Sequence, residues 1–217
     1  KAKAHHDIKW IADFRDPWVG FFQNQSLPMT RAAMSAHEDL QCRVLKKADR
    51  VVVTAPSLAE EFKEFNKRIT VLTNGYEKMF NSSATNTNAL VYAGSLKAQQ
   101  NPSCLWQAIQ ELTQESKSFA AQFSLEIYGN VAANIRQEVS DFGIEKWVKF
   151  FGYQSKAQLD KRLPSAKALL LLGIDMSNTH TIIHGKLFEY MAANRPVLGI
   201  GPIPSDMESL FEVHQLG

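Results

Sequence analysis

The stretch His184-Gly185-Lys186-Leu187-Phe188-Glu189 carries residue types suited to an anion that sits next to a diol. A glycine at the start of a helix lets a ligand approach the amides that the first turn leaves unpaired. The helix dipole alone favours negative charge there by about 0.3 to 2 kcal/mol. Lys186 adds a full positive charge in the same turn, and Glu189 follows three residues later on the same face. A carboxylate repels a phosphate, but it accepts hydrogen bonds from a neutral diol. A ribose joined to a diphosphate satisfies both demands. The same spacing also fits an exposed Lys186–Glu189 ion pair without a ligand, worth about 0.2–0.5 kcal/mol.

A second candidate is Leu90-Val91-Tyr92-Ala93-Gly94-Ser95-Leu96-Lys97, an apolar run that ends in Gly94-Ser95. A residue without a Cβ permits close approach of the backbone to a phosphate or sugar. Gly129 and Gly152 repeat the pattern after two further apolar runs. Each of the three also reads as an ordinary strand-to-loop glycine, and no G-x-G-x-x-G dinucleotide fingerprint is present. In Asp13-Phe14-Arg15-Asp16-Pro17-Trp18, Asp-Pro favours a turn, with Arg15 paired to Asp13 or Asp16 or else lining a cleft. Thr73-Asn74-Gly75-Tyr76 carries a tight-turn signal and precedes a polar tract, as a hinge would. His5, His6, His37, His180, His184 and His214 show no metal-ligand spacing, and only His184 lies beside a candidate site. Asp175 follows an apolar run without a second carboxylate to share a metal. Neither a G-x-S-x-G elbow nor a Walker A loop occurs.

The elements that position these residues follow from the apolar pattern. Strands are expected over residues 10–14, 50–54, 69–72, 90–93, 124–128, 148–151, 168–172 and 196–200. Val51-Val52-Val53 and Leu169-Leu170-Leu171-Leu172 are apolar on both faces, as in a sheet covered on both sides. Helices are expected over residues 58–65, after the start signal Pro56-Ser57, and over 102–115, 132–142, 155–163 and 185–193. Strand alternating with helix implies an α/β protein with a Rossmann-like parallel sheet flanked by helices, plus the last part of a second α/β domain. The polar tract Asn81-Ser82-Ser83-Ala84-Thr85-Asn86-Thr87-Asn88 has no periodicity and reads as a linker. The expected division is residues 1–80, a linker at 81–89, and residues 90–217 as the more regular domain.

With 217 residues, 45% of them apolar and 21% charged, the chain is long enough to bury its own core without staples. Lys plus Arg number 24 against 22 Asp plus Glu, a net charge of +2. That balance argues against a nucleic-acid partner bound by broad phosphate neutralisation, and leaves room for a local site for a small anion. Cys42 and Cys104 lie far apart and are expected as buried free thiols rather than a disulfide. The longest apolar run, residues 168–173, falls far short of the roughly 20 residues that span a bilayer. The chain does not start with Met and stops at Leu216-Gly217, soon after a helical pattern, so a fragment of a longer protein is expected.

Taken in order, these segments resemble glycosyltransferase family 4, the group 1 glycosyltransferases of GT-B architecture. The resemblance rests on Ala12 to Trp18, Ala48 to Thr54, Thr73-Asn74-Gly75-Tyr76, Tyr92-Ala93-Gly94-Ser95, Ile127-Tyr128-Gly129 and Phe151-Gly152-Tyr153, and above all on Gly185 to Val197. It implies that residues 90–217 bind a nucleoside-diphosphate sugar, with Glu189 on the ribose and the backbone of His184, Gly185 and Leu187 on the diphosphate. It further implies Gly94 and Ser95 near the leaving group, Gly129 among the donor-binding residues, Tyr153 in the base-binding loop, and Lys186 and Lys97 as the cations that stabilise that leaving group. A glycan or lipid-linked acceptor is implied, as are retention of anomeric configuration and no metal or other cofactor. Also implied are a cytoplasmic location and peripheral membrane association through a domain outside these residues. That acceptor-side domain is expected to be largely missing, so these residues alone are expected to turn over weakly or not at all. Two positions depart from the family pattern: Thr181 stands where a glutamate is expected, eight residues before Glu189, and Gln100 where an arginine is expected. These departures leave a non-catalytic nucleotide-sugar-binding relative, or a GT-B sugar-nucleotide epimerase, as alternatives.

Overall fold

Each of the eight apolar runs forms a strand, and every strand pairs in parallel. The computed structural model describes residues 8–21, 24, 27–80, 87–174, 176 and 178–216. By contacts the chain divides into two units, and the described residues fall into them as follows. Unit 1 takes those of residues 1–74, 176–183 and 203–210, and unit 2 those of 75–175, 184–202 and 211–217.

In unit 1, β1 (Ile11–Phe14), β2 (Arg50–Val53) and β3 (Ile69–Val71) form a sheet in that order. Val51 and Val53 are fully buried while Val52 is half-exposed, so β2 buries one face more deeply than the run Val51-Val52-Val53 suggests. Between β1 and β2 lies α1 (Arg31–Lys47), which the apolar pattern does not announce. Leu45 is its one fully buried residue, and its start is set locally: the Thr30 hydroxyl accepts from the Ala33 amide at 3.2 Å. α2 (Pro56–Phe62) starts on the expected proline. The carboxylate of Asp206, 149 positions later, accepts from the Ser57 amide at 3.1 Å and from its hydroxyl at 2.9 Å. The Asp206 amide in turn donates to the His180 carbonyl at 2.9 Å. These bonds tie two late segments of sequence into unit 1.

Unit 2 is built on β4 (Ala89–Ala93), β5 (Ser124–Tyr128), β6 (Val148–Gly152), β7 (Ala168–Leu172) and β8 (Val197–Ile200), in the order β6-β5-β4-β7-β8. Every residue of β4 is buried, as are Leu169 to Leu172 of β7, which is the expected mark of strands covered on both faces. The flanking helices are α3 (Ser103–Glu115), α4 (Lys117–Gln122), α5 (Ala133–Asp141), α6 (Lys156–Arg162) and α7 (Gly185–Ala193), and the residues of α8 (Asp206–His214), after β8, are divided between the units at Leu210. Trp106, Ile109, Ile135 and Val139 pack from α3 and α5 onto Tyr92, Leu125 and Ile127 of the sheet. Burying each such aliphatic side chain stabilises by about 1.5–3 kcal/mol. α6 opens with a capping box: the Gln158 side chain accepts from the Ser155 amide at 2.9 Å, and the Ser155 hydroxyl from the Gln158 amide at 3.4 Å. α7 ends in left-handed Asn194 (φ 51°), directly before Arg195-Pro196.

Helix α4, like α1, is not announced by the apolar pattern, and four further details differ from the sequence reading. The units divide between Asn74 and Gly75, ahead of the polar tract, whose residues 81–86 lie outside the described residues. Ala89 already opens β4, and the Thr87 amide is bonded to the Ser165 carbonyl at 2.9 Å. Asn74-Gly75 makes no tight turn, and Arg15 donates to the Asn74 side chain at 2.9 Å rather than pairing with Asp13 or Asp16. Both cysteines are free, but Cys42 is half-buried and Cys104 exposed, neither in a core.

Replacing Asp206 by alanine removes the cap of α2 at a distance. Urea unfolding should show a loss of about 0.5–2 kcal/mol, whereas an unchanged midpoint would mean that the Ser57 bonds contribute nothing net.

Candidate anion site at the end of the parallel sheet

In an open parallel sheet, ligands bind outside the carboxyl ends of the strands where the strand order reverses. In unit 2 the reversal lies between β4 and β7. The chain leaves β4 at Gly94, and α7 begins at Gly185 with no side chain capping its first turn.

Gly94 has φ +132°, and a Cβ built on it would lie 2.5 Å from both Cε and Nζ of Lys186. Only glycine leaves room for the lysine to lie across the loop. Gly129 has the same φ, and a Cβ there would run into the carbonyl of Gly94. The strand ends are laced together: the Gly94 amide donates to the Tyr128 carbonyl at 2.7 Å, and the Gly129 amide to the Gly152 carbonyl at 2.7 Å. Beside this row, Tyr128 stacks on Phe151 with ring centroids 4.8 Å apart and donates to Glu126 at 2.6 Å. Burial, then the Glu126 bond, pushes the Tyr128 phenol up to about 12. Burial opposes charge on Glu126, but the bonds from Arg162 (2.8 Å) and Tyr128 hold its carboxyl below the usual range.

The Lys186 ammonium donates to the Tyr92 hydroxyl at 2.7 Å and lies 4.2 Å from the centre of that ring. Tyr92 is fully buried, and its hydroxyl donates to the Ser95 carbonyl at 3.0 Å. Tyr190 of α7 is fully buried as well and accepts from the Ala93 amide at 3.0 Å, fastening the helix to the end of β4. Burial, partly offset by Glu189, takes Lys186 down to about 8, so it is a cation at pH 7. Burial, and then the charge of Lys186, lowers His184 from its ordinary value, so that imidazole is neutral at pH 7. The only formal charge in the first turn is therefore positive.

Glu189 is half-exposed and opens on a cavity of about 150 Å³ shared with Tyr76, Lys78, Phe80 and Lys156. Its carboxylate lies 3.4 Å from the Lys156 ammonium. The structure thus brings Gly94, Ser95, Gly129 and Lys186 together, beside the open end of α7 at His184 and Gly185. Glu189, one turn along α7, acts on Lys186 through its charge, and among the described residues no side-chain hydrogen bond joins Lys97, Tyr153 or Leu187 to this group. Lys97 is exposed, and Tyr153 is 81% exposed. The Leu187 side chain is in the core, and its amide donates to the His184 carbonyl at 2.9 Å. Gln100 is turned inward: its side chain accepts from the Lys97 amide at 3.4 Å and donates to the Leu172 carbonyl at 3.5 Å. Asp175 lies outside the described residues. Tyr92, Tyr190 and Lys156 were not candidates. The one signal for Tyr92 is a phenol in an otherwise aliphatic strand, which needs a partner once buried.

No family model matches the chain, and no curated protein matches it in sequence. Solved structures do match in fold. The sucrose-phosphate synthase of Thermosynechococcus elongatus aligns over 99% of this chain and 59% of its own, with a TM-score of 0.63 at 14% identity. The pneumococcal O-GlcNAc transferase GtfA, solved with UDP and GlcNAc, aligns over 76% of this chain and 32% of its own, with a TM-score of 0.58 at 16% identity. TarM of S. aureus, in a complex that includes UDP, aligns over 80% of this chain and 34% of its own, with a TM-score of 0.57 at 14% identity. The fold is that of the GT-B glycosyltransferases. The chain spans between about a third and three fifths of the length of these structures.

Unit 1 holds a polar cavity of about 190 Å³ lined by Arg15, Asp16, Thr54, Asn74, Thr181 and Ile183. Of the two readings of the Asp13 to Trp18 segment, the turn alone and the cleft wall, its position fits the second. The Thr54 hydroxyl donates to the Arg15 carbonyl at 2.7 Å and fixes the cavity wall. Thr181 is 5% exposed, and its buried hydroxyl has no hydrogen-bond partner. Unit 1 also has a mostly apolar cavity of about 310 Å³, where Trp18 donates to His37 at 3.1 Å. Among the described residues no group of three or more His, Cys, Asp or Glu could hold a metal ion, and no helix is long and apolar enough to cross a membrane.

Alanine at Gly129 would carry a strained φ, at about 1–3 kcal/mol, and would also press on the Gly94 carbonyl. Gly129→Ala should lower the melting temperature markedly, whereas Gly75→Ala, with nothing near its Cβ, should not. Equal melting temperatures for the two variants would show that the glycine row is not under steric constraint.

Proposed function

We propose that this chain is the donor-binding part of a family 4 glycosyltransferase. Unit 2 is read as the nucleotide-sugar-binding domain. The enzyme moves a sugar from a nucleoside-diphosphate sugar to a hydroxyl of a glycan or lipid-linked acceptor. It retains anomeric configuration, needs no bound metal or other cofactor, and works in the cytoplasm at the membrane surface. The observation that carries the reading is the Lys186 ammonium, seated against Gly94 beside the uncapped first turn of α7, where the strand order reverses. The UDP present in the GtfA and TarM complexes makes UDP the first probe.

As the bond between the anomeric carbon and the diphosphate oxygen breaks, negative charge grows on the diphosphate and positive charge on the sugar ring. Donors fixed in advance stabilise the first charge where it develops. Lys186 and the free amides at Gly185 do this, and losing one such donor costs about 2.7–4 kcal/mol of barrier. Glu189 accepts from the ribose hydroxyls, and to do so it exchanges its contact with Lys156.

A second reading, a relative that binds a nucleotide sugar without transferring it, is favoured by Thr181 and Gln100. A buried threonine hydroxyl without a partner stands where the resemblance expects a glutamate, and an inward-turned amide where it expects an arginine. Transfer or hydrolysis of bound donor by the full-length protein separates the two.

Calorimetric titration with UDP, GDP and ADP tests the site. Glu189→Ala should weaken the best ligand by about tenfold or more, as for a hydrogen bond to a charged acceptor, and equal affinity would remove Glu189 from the site. The sign of the pH dependence is fixed by Lys186. A bound diphosphate raises its pKa above the free value of about 8, so binding takes up a proton at higher pH. Affinity should fall above pH 8 by up to about tenfold per pH unit, and Lys186→Met should abolish that slope.

A further inference from the structure

We infer that Tyr92 is a positioning residue for the anion site: its buried hydroxyl joins the loop after β4 to the ammonium of Lys186. The inference rests on reading that site as a diphosphate site. Tyr92 sits in the central strand, with no exposed surface and all its strand neighbours buried. Phenylalanine would fill the same space and keep the ring under the ammonium. What the tyrosine adds is one hydroxyl, and that hydroxyl makes two bonds, donating to the Ser95 carbonyl at 3.0 Å and accepting from Lys186 Nζ at 2.7 Å. Ser95 follows Gly94, the residue over which Lys186 lies. The hydroxyl therefore fixes two parts of the site against each other, the loop carbonyl and the cation.

A lysine side chain is a flexible four-carbon stem, and a cation free to swing must be ordered when the ligand arrives. Holding it beforehand removes that cost. An ammonium has three N–H donors, so the bond to Tyr92 leaves two for phosphate oxygens. Burial pushes the Tyr92 phenol well above its ordinary value, so it stays a neutral O–H that can donate to Ser95 while accepting from Lys186. The other titratable groups around the ammonium are His184, just before the helix, and Glu189, one turn along it.

The experiment is a double-mutant cycle read by UDP titration, with Tyr92→Phe made in the wild type and in Lys186→Met. The expected result is about tenfold weaker binding for Tyr92→Phe in the wild type, the loss of one charge-assisted hydrogen bond, and a change of under about twofold in the Lys186→Met background. Equal losses in both backgrounds, or no loss in the wild type, would overturn the inference. If the wild type binds none of the three diphosphates, the reading of the site fails, and a ligand-free measurement decides the Tyr92 bond by itself. In protein carrying ¹³C-labelled lysine, Tyr92→Phe should displace the titration midpoint of the Lys186 Cε signal, and an unmoved midpoint refutes the tie. Should Tyr92→Phe not fold, Lys186→Met should shift the Tyr92 Cζ resonance, and an unshifted resonance refutes it equally.

Discussion

A lysine ammonium held over bare backbone is the constraint from which the rest of unit 2 can be read. For Lys186 to lie where it does, Gly94 must lack a Cβ, and for Gly94 to sit there, Gly129 behind it must lack one too. That double requirement is met only if β4 and β5 end in step, which their parallel ladder from Ala89↔Ser124 to Ala93↔Tyr128 ensures. The helix carrying the lysine is pinned to the same strand by the Tyr190 hydroxyl on the Ala93 amide. A partly desolvated cation is costly unless it has partners. Here one hydroxyl and one aromatic face supply them, and the remaining donors are open to an anion.

Much of the fold was legible because its strands are buried on both faces. Leu169-Leu170-Leu171-Leu172 and Leu90-Val91-Tyr92-Ala93 have no polar alternation to confuse the reading, and both are inner strands. Helix starts at Pro56 and Ser155 were legible through their local chemistry. Helix α1 was not, because a helix with one fully buried residue leaves no periodic apolar stripe, and its threonine cap is too common a residue to announce it. Within the site, the glycines and the Lys186–Glu189 spacing were visible as residue types. What could not be seen was which side chains from other strands and helices meet them. Tyr92 is ninety-four positions from Lys186 and Lys156 thirty-three from Glu189, and neither pair has a local signature. The same holds for Arg15, whose nearest carboxylates in sequence were passed over for Asn74, fifty-nine positions away.

The departures from the family pattern have distinct physical characters. Gln100 is absorbed by the fold: both ends of its amide are used, one closing the short 3-10 turn Ala98–Gln100 and the other reaching the last carbonyl of β7. An arginine there would have to abandon those bonds or bury a charge. Thr181 is the opposite case, a buried hydroxyl without a protein partner on a residue that lines a polar cavity.

The bond from Asp206 to Ser57 also bears on how the protein can be taken apart. A cut within the polar tract would seem to yield two self-sufficient halves. The earlier piece would lose the carboxylate that closes the start of α2 and the two late segments assigned to its own unit. The later piece would keep those segments with their buried faces uncovered. Limited proteolysis or dissection at that tract would therefore leave both products incomplete, and any attempt to isolate unit 2 must trim or replace residues 176–183 and 203–210 rather than simply begin at residue 90.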